Sequence, residues 1–249
     1  MKEYLNKITC GDCFKLVDNI PYNYVDLILT DPPYGINYQA RQKKEKYDRF
    51  ENDNNLAWLN DFFLKCHCLL KDNSHIYVFT GYKFIDIFLL EFKKYFSLKN
   101  ILVIPTRHSG GVVNDGHFRH AYELVLFGHK GKKGFNKMNK HVVKRPNDPK
   151  QKNKFLQLYP DLLNMFYANE FNLKQQHPTQ KDLELLKHFI ELSSNKGDIV
   201  YDPFMGSGTT AVACKQLERD FIGFELCQEY VDIANKRLCQ ETLVSSGLF

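Results

Sequence analysis

The chain has 249 residues, 43% of them hydrophobic and 25% charged, and a net charge of +5. That length and balance support one sizeable core and exclude both a disordered chain and a small scaffold needing disulfide or metal staples. The charge is unevenly spread: residues 129–154 hold ten of the 34 Lys and Arg and one of the 29 Asp and Glu, a local net of +9 in an otherwise slightly acidic protein.

In chain order, the start MKEYLNKITCGDC has no apolar run after its first Lys, so no signal peptide is expected. Apolar runs predict strands at 7–9 and 24–30, with a helix at 13–19 between them. A polar, Lys/Arg-rich loop at 39–55 precedes a predicted helix at 56–70, a strand at 75–80 and a helix at 84–96. Phe84, Phe88, Phe92 and Phe96 repeat at helical spacing in that last helix and read as core. Strands at 101–105 and 122–128 come next, joined by a loop carrying His108, His117 and His120, which reads as solvated. Residues 129–176 break the rhythm and read as an insertion. A helix at 182–193, a strand at 199–201, a helix at 209–217, a strand at 221–225 and a helix at 228–241 complete the series. This alternation predicts an α/β, doubly wound, mostly parallel seven-stranded sheet, with an antiparallel edge formed within 101–128. The apolar stretches fall short of the ~20 residues of a membrane span. Seven cysteines without a regular framework predict reduced thiols and a cytoplasmic setting. Cys10 and Cys13 with Cys66, His67 and Cys68 offer a metal set on paper. Cys66 and Cys68 lie two apart on a predicted helix, on different faces, so no metal is expected.

Two segments carry chemistry. In DLILTDPPYGINY, residues 26–38, an apolar strand runs into Asp31, Pro32, Pro33 and Tyr34. Two prolines cannot continue a central strand, so the chain turns at the strand's carboxyl end, where α/β sheets bind ligands. A carboxylate, carbonyls beside residues without N–H, and an aromatic face suit a planar group bearing an NH₂. The plainer alternative is a proline turn with a helix-capping Asp. In GDIVYDPFMGSGTTAVACKQL, residues 197–217, a strand ends at Asp202 and a glycine loop leads into a helix. Gly206 and Gly208 permit a tight turn and close approach to a nucleotide-like cofactor, although tight β-α turns also use Gly. Glu225 ends the next strand, 17 positions after Gly208, a spacing that suits a ribose hydroxyl pair. The stretch GSGTT lacks the following Lys of a P-loop, which disfavours phosphoryl transfer. The glycine loop alone would also fit a nicotinamide-dependent oxidoreductase.

Together these segments resemble the S-adenosylmethionine-dependent DNA amino-methyltransferases, which methylate adenine N6 or cytosine N4. Asp31–Tyr34 resembles their catalytic DPPY motif, and DPFMGSGTT, residues 202–210, their cofactor loop. HPTQKDLELLKHFI, residues 177–190, is similar to a second cofactor segment, with Asp182 where relatives usually have Pro. RDFIGFELCQEYVDIANKRL, residues 219–238, follows the family pattern, and ITCGDC, residues 8–13, resembles the strand whose acidic residue meets the cofactor's adenine. Tyr122 precedes Glu123 where His is common, and the strand at 100–105 ends in Pro-Thr where relatives often have Trp. The order, catalytic motif before cofactor loop, resembles the β group, a circular permutation of the methyltransferase fold. The resemblance implies a catalytic half at 1–128, an inserted DNA-recognition region at 129–176 and a cofactor-binding half at 177–249.

The activity so implied is site-specific methylation of adenine N6 in double-stranded DNA with base flipping, S-adenosylmethionine being the donor. Cytosine N4 methylation and a catalytically silent DNA-binding protein are the alternatives; Asp rather than Ser at position 31 favours adenine by family habit. RNA or protein methylation is disfavoured by the full set of DNA-enzyme motifs. Asp31 and the Pro32 carbonyl are expected to accept the two amino hydrogens, with Pro33 stiffening the turn and Tyr34 stacking on the base. The cofactor is expected to meet Asp12, Asp31, Thr179, Lys181, Asp202, Phe204, Gly206, Ser207, Gly208, Thr209, Glu225 and Leu226. Lys181 would be available to its methionine carboxylate. Lysines of 129–154 are expected to hold phosphates, and Asn136, Asn139, Arg145 and Asn147 to be placed for base reading. Relatives of this kind are often homodimers, and a cognate restriction endonuclease fits the same reading.

Overall fold

The computed structural model describes residues 3–33, 56–105, 122–136 and 181–245. In chain order the elements are β1 Lys7–Cys10, α1 Cys13–Leu16, β2 Val25–Thr30, α2 Trp58–Leu69, β3 Leu70–Thr80 and α3 Ile85–Tyr95. They continue with β4 Ser97–Pro105, β5 Tyr122–Lys130, α4 Leu183–Ser193, β6 Ile199–Asp202, α5 Thr209–Gln216, β7 Asp220–Glu225 and α6 Gln228–Ser245. The strands form one seven-stranded sheet in the order β1-β7-β6-β2-β3-β5-β4. β1 to β3 and their neighbours β6 and β7 pair in parallel, whereas β5 is antiparallel to both β3 and β4. The predicted antiparallel edge is present, with β4 outermost and β5 returning between β4 and β3.

Both faces of the sheet are covered, and the residues alternate accordingly. On β2, Val25 and Ile28 join one core while Leu27 and Leu29 join the other; on β3, Ile76 and Val78 face one way and Tyr77 and Phe79 the opposite way. The first core holds Phe62 and Phe63 of α2 and Phe88 and Phe92 of α3, the last two fully buried, as their spacing predicts. The second holds Leu185 and Phe189 of α4, Ala211 of α5 and Ala234 of α6. Two strands begin well before their predicted starts at 75 and 101. β3 starts at Leu70, directly out of α2, and β4 starts at Ser97. The added residues KDNS and SLKN are mostly polar, so they carry no apolar signal.

Strand order decides where function sits. The chain leaves β6 for β7 on one side, and leaves β2 for β3 on the other, while β6 and β2 are direct neighbours. Their carboxyl ends form the topological switch point, the usual ligand crevice of such sheets. Because β5 runs backwards, its first residues lie at this same edge and its last ones at the far edge: Leu124 pairs with Thr80, and Lys130 with Ser74.

That reversal corrects part of the reading of the basic segment. His129 and Lys130 complete β5, and residues 131–136 continue from the edge of the sheet opposite Asp31. Lys130 Nζ donates to Asn23 Oδ1 at 2.7 Å and to the His67 and Leu70 carbonyls at 3.1 and 2.9 Å, closing the end of α2. Lys133 Nζ donates to Ser193 O at 2.7 Å, and the Asn136 amide donates to Glu191 O and Ser194 O at 2.9 and 2.6 Å. These groups satisfy carbonyls that the end of a helix leaves without partners. Lys130, Lys133 and Asn136 therefore anchor the sheet domain. The remainder of the expected insertion, with Asn139, Arg145 and Asn147, the 39–55 loop and His108, His117 and His120 lie outside the described residues. Lys130→Met is expected to cost about 1–3 kcal/mol by stranding those acceptors, with cofactor affinity unchanged; urea unfolding and calorimetric titration check the two halves.

Candidate active site

Asp31 directly follows β2, with Pro32 buried beside it and Pro33 exposed. The Asp31 carboxylate meets Lys181, which precedes α4, at 3.0 Å. Lys181 in turn meets Glu123, the second residue of β5, at 2.8 Å, and its ammonium lies 4.5 Å from the centroid of the Phe79 ring. Its side chain is only 13% exposed, against 28% for Asp31 and 37% for Glu123. Burial pushes the Asp31 carboxyl above its ordinary range; the Lys181 charge opposes this and the Glu123 charge adds to it. On Lys181, burial pulls the ammonium down, but Asp31 and Glu123 together outweigh it and raise the pKa, so the lysine stays protonated. Asp182 caps α4, accepting from Leu185 N at 3.0 Å.

One strand across, Asp202 ends β6 almost wholly buried. Its carboxylate accepts from Phe204 N at 3.1 Å and from the Thr210 hydroxyl at 2.7 Å, and so shapes the loop between them. Gly206 has φ +54° and only open space where a Cβ would stand. Gly208 has φ +83°, and a Cβ there would sit 2.6 Å from that of Ala234. The first glycine thus opens the loop to a ligand, and the second lets α5 and α6 pack closely. Arg237 of α6 fastens the loop from behind, donating to Ser207 O at 2.6 Å and to the Ser207 and Thr209 hydroxyls at 3.1 Å each.

Glu225 ends β7. Its two oxygens accept from Gly206 N at 2.8 Å and Cys227 N at 2.9 Å. The carboxylate is thereby fixed in direction, while each oxygen keeps acceptor capacity for a hydroxyl. Leu226 beside it is 50% exposed. Asp12 on the neighbouring chain end caps α1, accepting from Phe14 N at 3.0 Å. Phe204 is half-buried against the rings of Trp58 and Phe62, and Trp58 also meets Phe14. Open space before Gly206, a fixed carboxylate one strand away and a half-buried aromatic fit a cofactor with a ribose diol.

Burial pushes the Asp202 carboxyl up to about 7; the Thr210 and Thr30 hydroxyls and the Phe204 N–H pull it back, and the Asp31 charge adds to the rise. A carboxyl whose folded pKa exceeds its unfolded value stabilises the fold fully below the unfolded value, about 3.9. That contribution is lost as pH rises through the folded value. Asp202→Asn is therefore expected to flatten the change in thermal stability between about pH 4 and pH 7 relative to the parent. Melting curves of the two proteins across that range check this, and parallel curves would refute it.

The structure gathers Asp31, Pro32, Pro33 and Lys181 at the end of β2. It places Asp12, Asp202, Phe204, Gly206, Ser207, Gly208, Thr209, Glu225 and Leu226 along the adjoining ends of β1, β6 and β7. Lys181 lies with the Asp31 carboxylate, on the β2 side of the crevice. Tyr34 and Thr179 lie outside the described residues. Glu123, Phe79 and Arg237 went unnoticed as site residues in the sequence. Only Glu123 left a signal, an acidic residue opening an apolar strand, and its meaning depends on that strand running backwards.

The DNA methylase family model matches residues 25–236. The chain is 31% identical over 254 residues to the type II methyltransferase M.HinfI of Haemophilus influenzae, covering 96% of this chain and 69% of that protein. It is 31% identical over 246 residues to the DNA adenine methyltransferase YhdJ of Escherichia coli K12, covering 92% and 81% respectively. The crystal structure of the M1.HpyAVI–SAM complex superposes with a TM-score of 0.62 at 29% identity, over 93% of this chain and 98% of that one. No helix among the described residues is long and apolar enough to cross a membrane. A family match across most of the chain, a shared sheet and a crevice suited to the shared cofactor lead to one assignment: this chain belongs to the S-adenosylmethionine-dependent DNA amino-methyltransferases.

Proposed function

We propose that this enzyme methylates the N6 amino group of adenine in double-stranded DNA. The observation that carries the reading is the placement of Asp31 and Pro32 at the switch point, one strand from the glycine loop that suits the cofactor. Adenine is favoured over cytosine by Asp at position 31, and YhdJ, named as an adenine enzyme, is among the similar proteins. S-adenosylmethionine supplies an electrophilic sulfonium methyl. An exocyclic amine is a weak nucleophile because its lone pair is delocalised into the ring. Asp31 and the Pro32 carbonyl accept its two hydrogens, hold the nitrogen pyramidal and aim the lone pair along the methyl–sulfur axis. The same two acceptors stabilise positive charge that grows on nitrogen as the methyl–sulfur bond breaks, and the extra proton passes to water after the methyl has moved. Since the amine is out of reach within a duplex, the base is flipped out, and Tyr34 stacks on it.

The test is nucleoside analysis of DNA from a methylation-free host after incubation with enzyme and cofactor. N6-methyladenine supports the reading, N4-methylcytosine moves it to the other amine, and unmodified DNA refutes it. DNA contact is assigned to the basic residues within 137–154, because Lys130 and Lys133 are engaged with the protein itself. Neutralising Lys137, Lys140 and Lys144 together should reduce the slope of log affinity against log salt by about 3. Cofactor affinity should not change, and a loss there would place these lysines elsewhere.

A further inference from the structure

Glu123 has no part in the reading above, yet it reaches the catalytic carboxylate through one intermediary. Lys181 is nearly buried, with Asp31 at 3.0 Å, Glu123 at 2.8 Å and the Phe79 ring beneath it. Moving an ammonium out of water is costly, and a single exposed carboxylate seldom repays it. Two carboxylates and a ring face do so here, and each comes from a different element: Asp31 from the end of β2, Glu123 from the start of β5, Phe79 from β3. Only the reversed direction of β5 brings its first residues to this edge.

We propose that Glu123 is a positioning residue for methyl transfer: it holds Lys181, and Lys181 holds the Asp31 carboxylate in the orientation and charge state that the amine requires. This rests on Asp31 being the acceptor for the target amine. A carboxylate swivels freely unless something fixes one oxygen, and Lys181 contacts Oδ2. Among the described residues, the charged groups acting on Asp31 are Lys181 before α4 and Glu123 on β5, and Asp202 at the end of β6 is coupled to it. Lys181 is the one cation of that set, so its removal withdraws the pull that lowers the Asp31 pKa and leaves the Glu123 charge that raises it. It also follows that Lys181 serves the reacting end of the site rather than the carboxylate of the cofactor's methionine.

The experiment compares the parent with Glu123→Gln, Lys181→Met and the double variant. It measures single-turnover methyl transfer from radiolabelled S-adenosylmethionine to DNA from a methylation-free host, across pH, with cofactor affinity measured by calorimetry. Glu123→Gln is expected to slow transfer about tenfold to a hundredfold, with cofactor affinity within twofold. Lys181→Met is expected to slow it at least as much and to move the acidic limb of the rate profile to higher pH, because Asp31 loses the charge that lowers its pKa. The double variant should be no slower than Lys181→Met alone, since Glu123 acts through the lysine. Glu123→Asp, with the charge kept, should recover part of the rate. Multiplying losses in the double variant, an unmoved acidic limb, or a rate within twofold of the parent for Glu123→Gln would each overturn the proposal. So would a loss confined to cofactor affinity. Absence of transfer by the parent would refute the DNA-amine reading itself, which separates the two failures.

Discussion

Replacing Asp31 by Ala is expected to lower methyl transfer by about a thousandfold or more, because in the proposed mechanism one group both aims the amine and stabilises its developing charge. The effect should fall on the rate at saturating cofactor and DNA, and leave S-adenosylmethionine affinity near that of the parent, since the glycine loop and Glu225 are built from β6 and β7. The choice of control is informative. Asn is close to isosteric with Asp but has one acceptor and one donor end. Beside a protonated Lys181, the Asn oxygen would turn to the ammonium and its NH₂ would face the incoming amine, donor against donor. Asp31→Asn should therefore be nearly as inactive as Asp31→Ala, despite its shape. Transfer within tenfold of the parent by either variant would remove Asp31 from the mechanism. The raised pKa of Asp31 also predicts that activity fades toward acid pH, because a protonated carboxyl presents an O–H where an acceptor is needed.

Much of this architecture was legible in the sequence, and for identifiable reasons. Central parallel strands are buried on both faces, so VDLILT at β2 and the apolar second half of β3 stand out as continuous apolar runs. The two loops announce themselves through residues with unusual backbones, Pro32 and Pro33 in one, Gly206 and Gly208 in the other. The missing parts are those that depend on three-dimensional neighbours. Lys181 was readable as a cofactor-side lysine by resemblance, but its pairing with Asp31 and Glu123 joins residues far apart in the chain. Lys130, Lys133 and Asn136 belong by composition to a basic insertion. Their side chains instead terminate α2 and α4, and nothing in the composition separates a helix-capping lysine from a phosphate-binding one. Gly208 reads as a ligand-facing glycine, yet its missing Cβ faces Ala234.

The second large effect is expected at Glu225, and it should fall on affinity instead of rate. Glu225→Ala should weaken S-adenosylmethionine binding by about a hundredfold, equivalent to about 2.7 kcal/mol. Two losses combine. On the proposed cofactor placement the ribose hydroxyls would lose a charged acceptor, and the Gly206 and Cys227 N–H groups lose the carboxylate that fixes the loop. Glu225→Gln separates the contributions poorly, because its amide end would oppose one of those two N–H groups. Glu225→Asp is the sharper probe: it keeps the charge, but is shorter by one methylene and cannot meet both amides and the diol from the same backbone. If preorganisation by the two N–H groups matters, Glu225→Asp should lose most of what Glu225→Ala loses. If charge alone matters, it should retain most of the parent's affinity. Calorimetric titration of each variant with S-adenosylmethionine measures this, with thermal unfolding in the absence of cofactor to confirm the fold. Transfer by Glu225→Ala at saturating cofactor should approach the parent's rate, the reverse of the pattern at Asp31. An affinity within threefold of the parent for Glu225→Ala would show that the carboxylate serves only the loop.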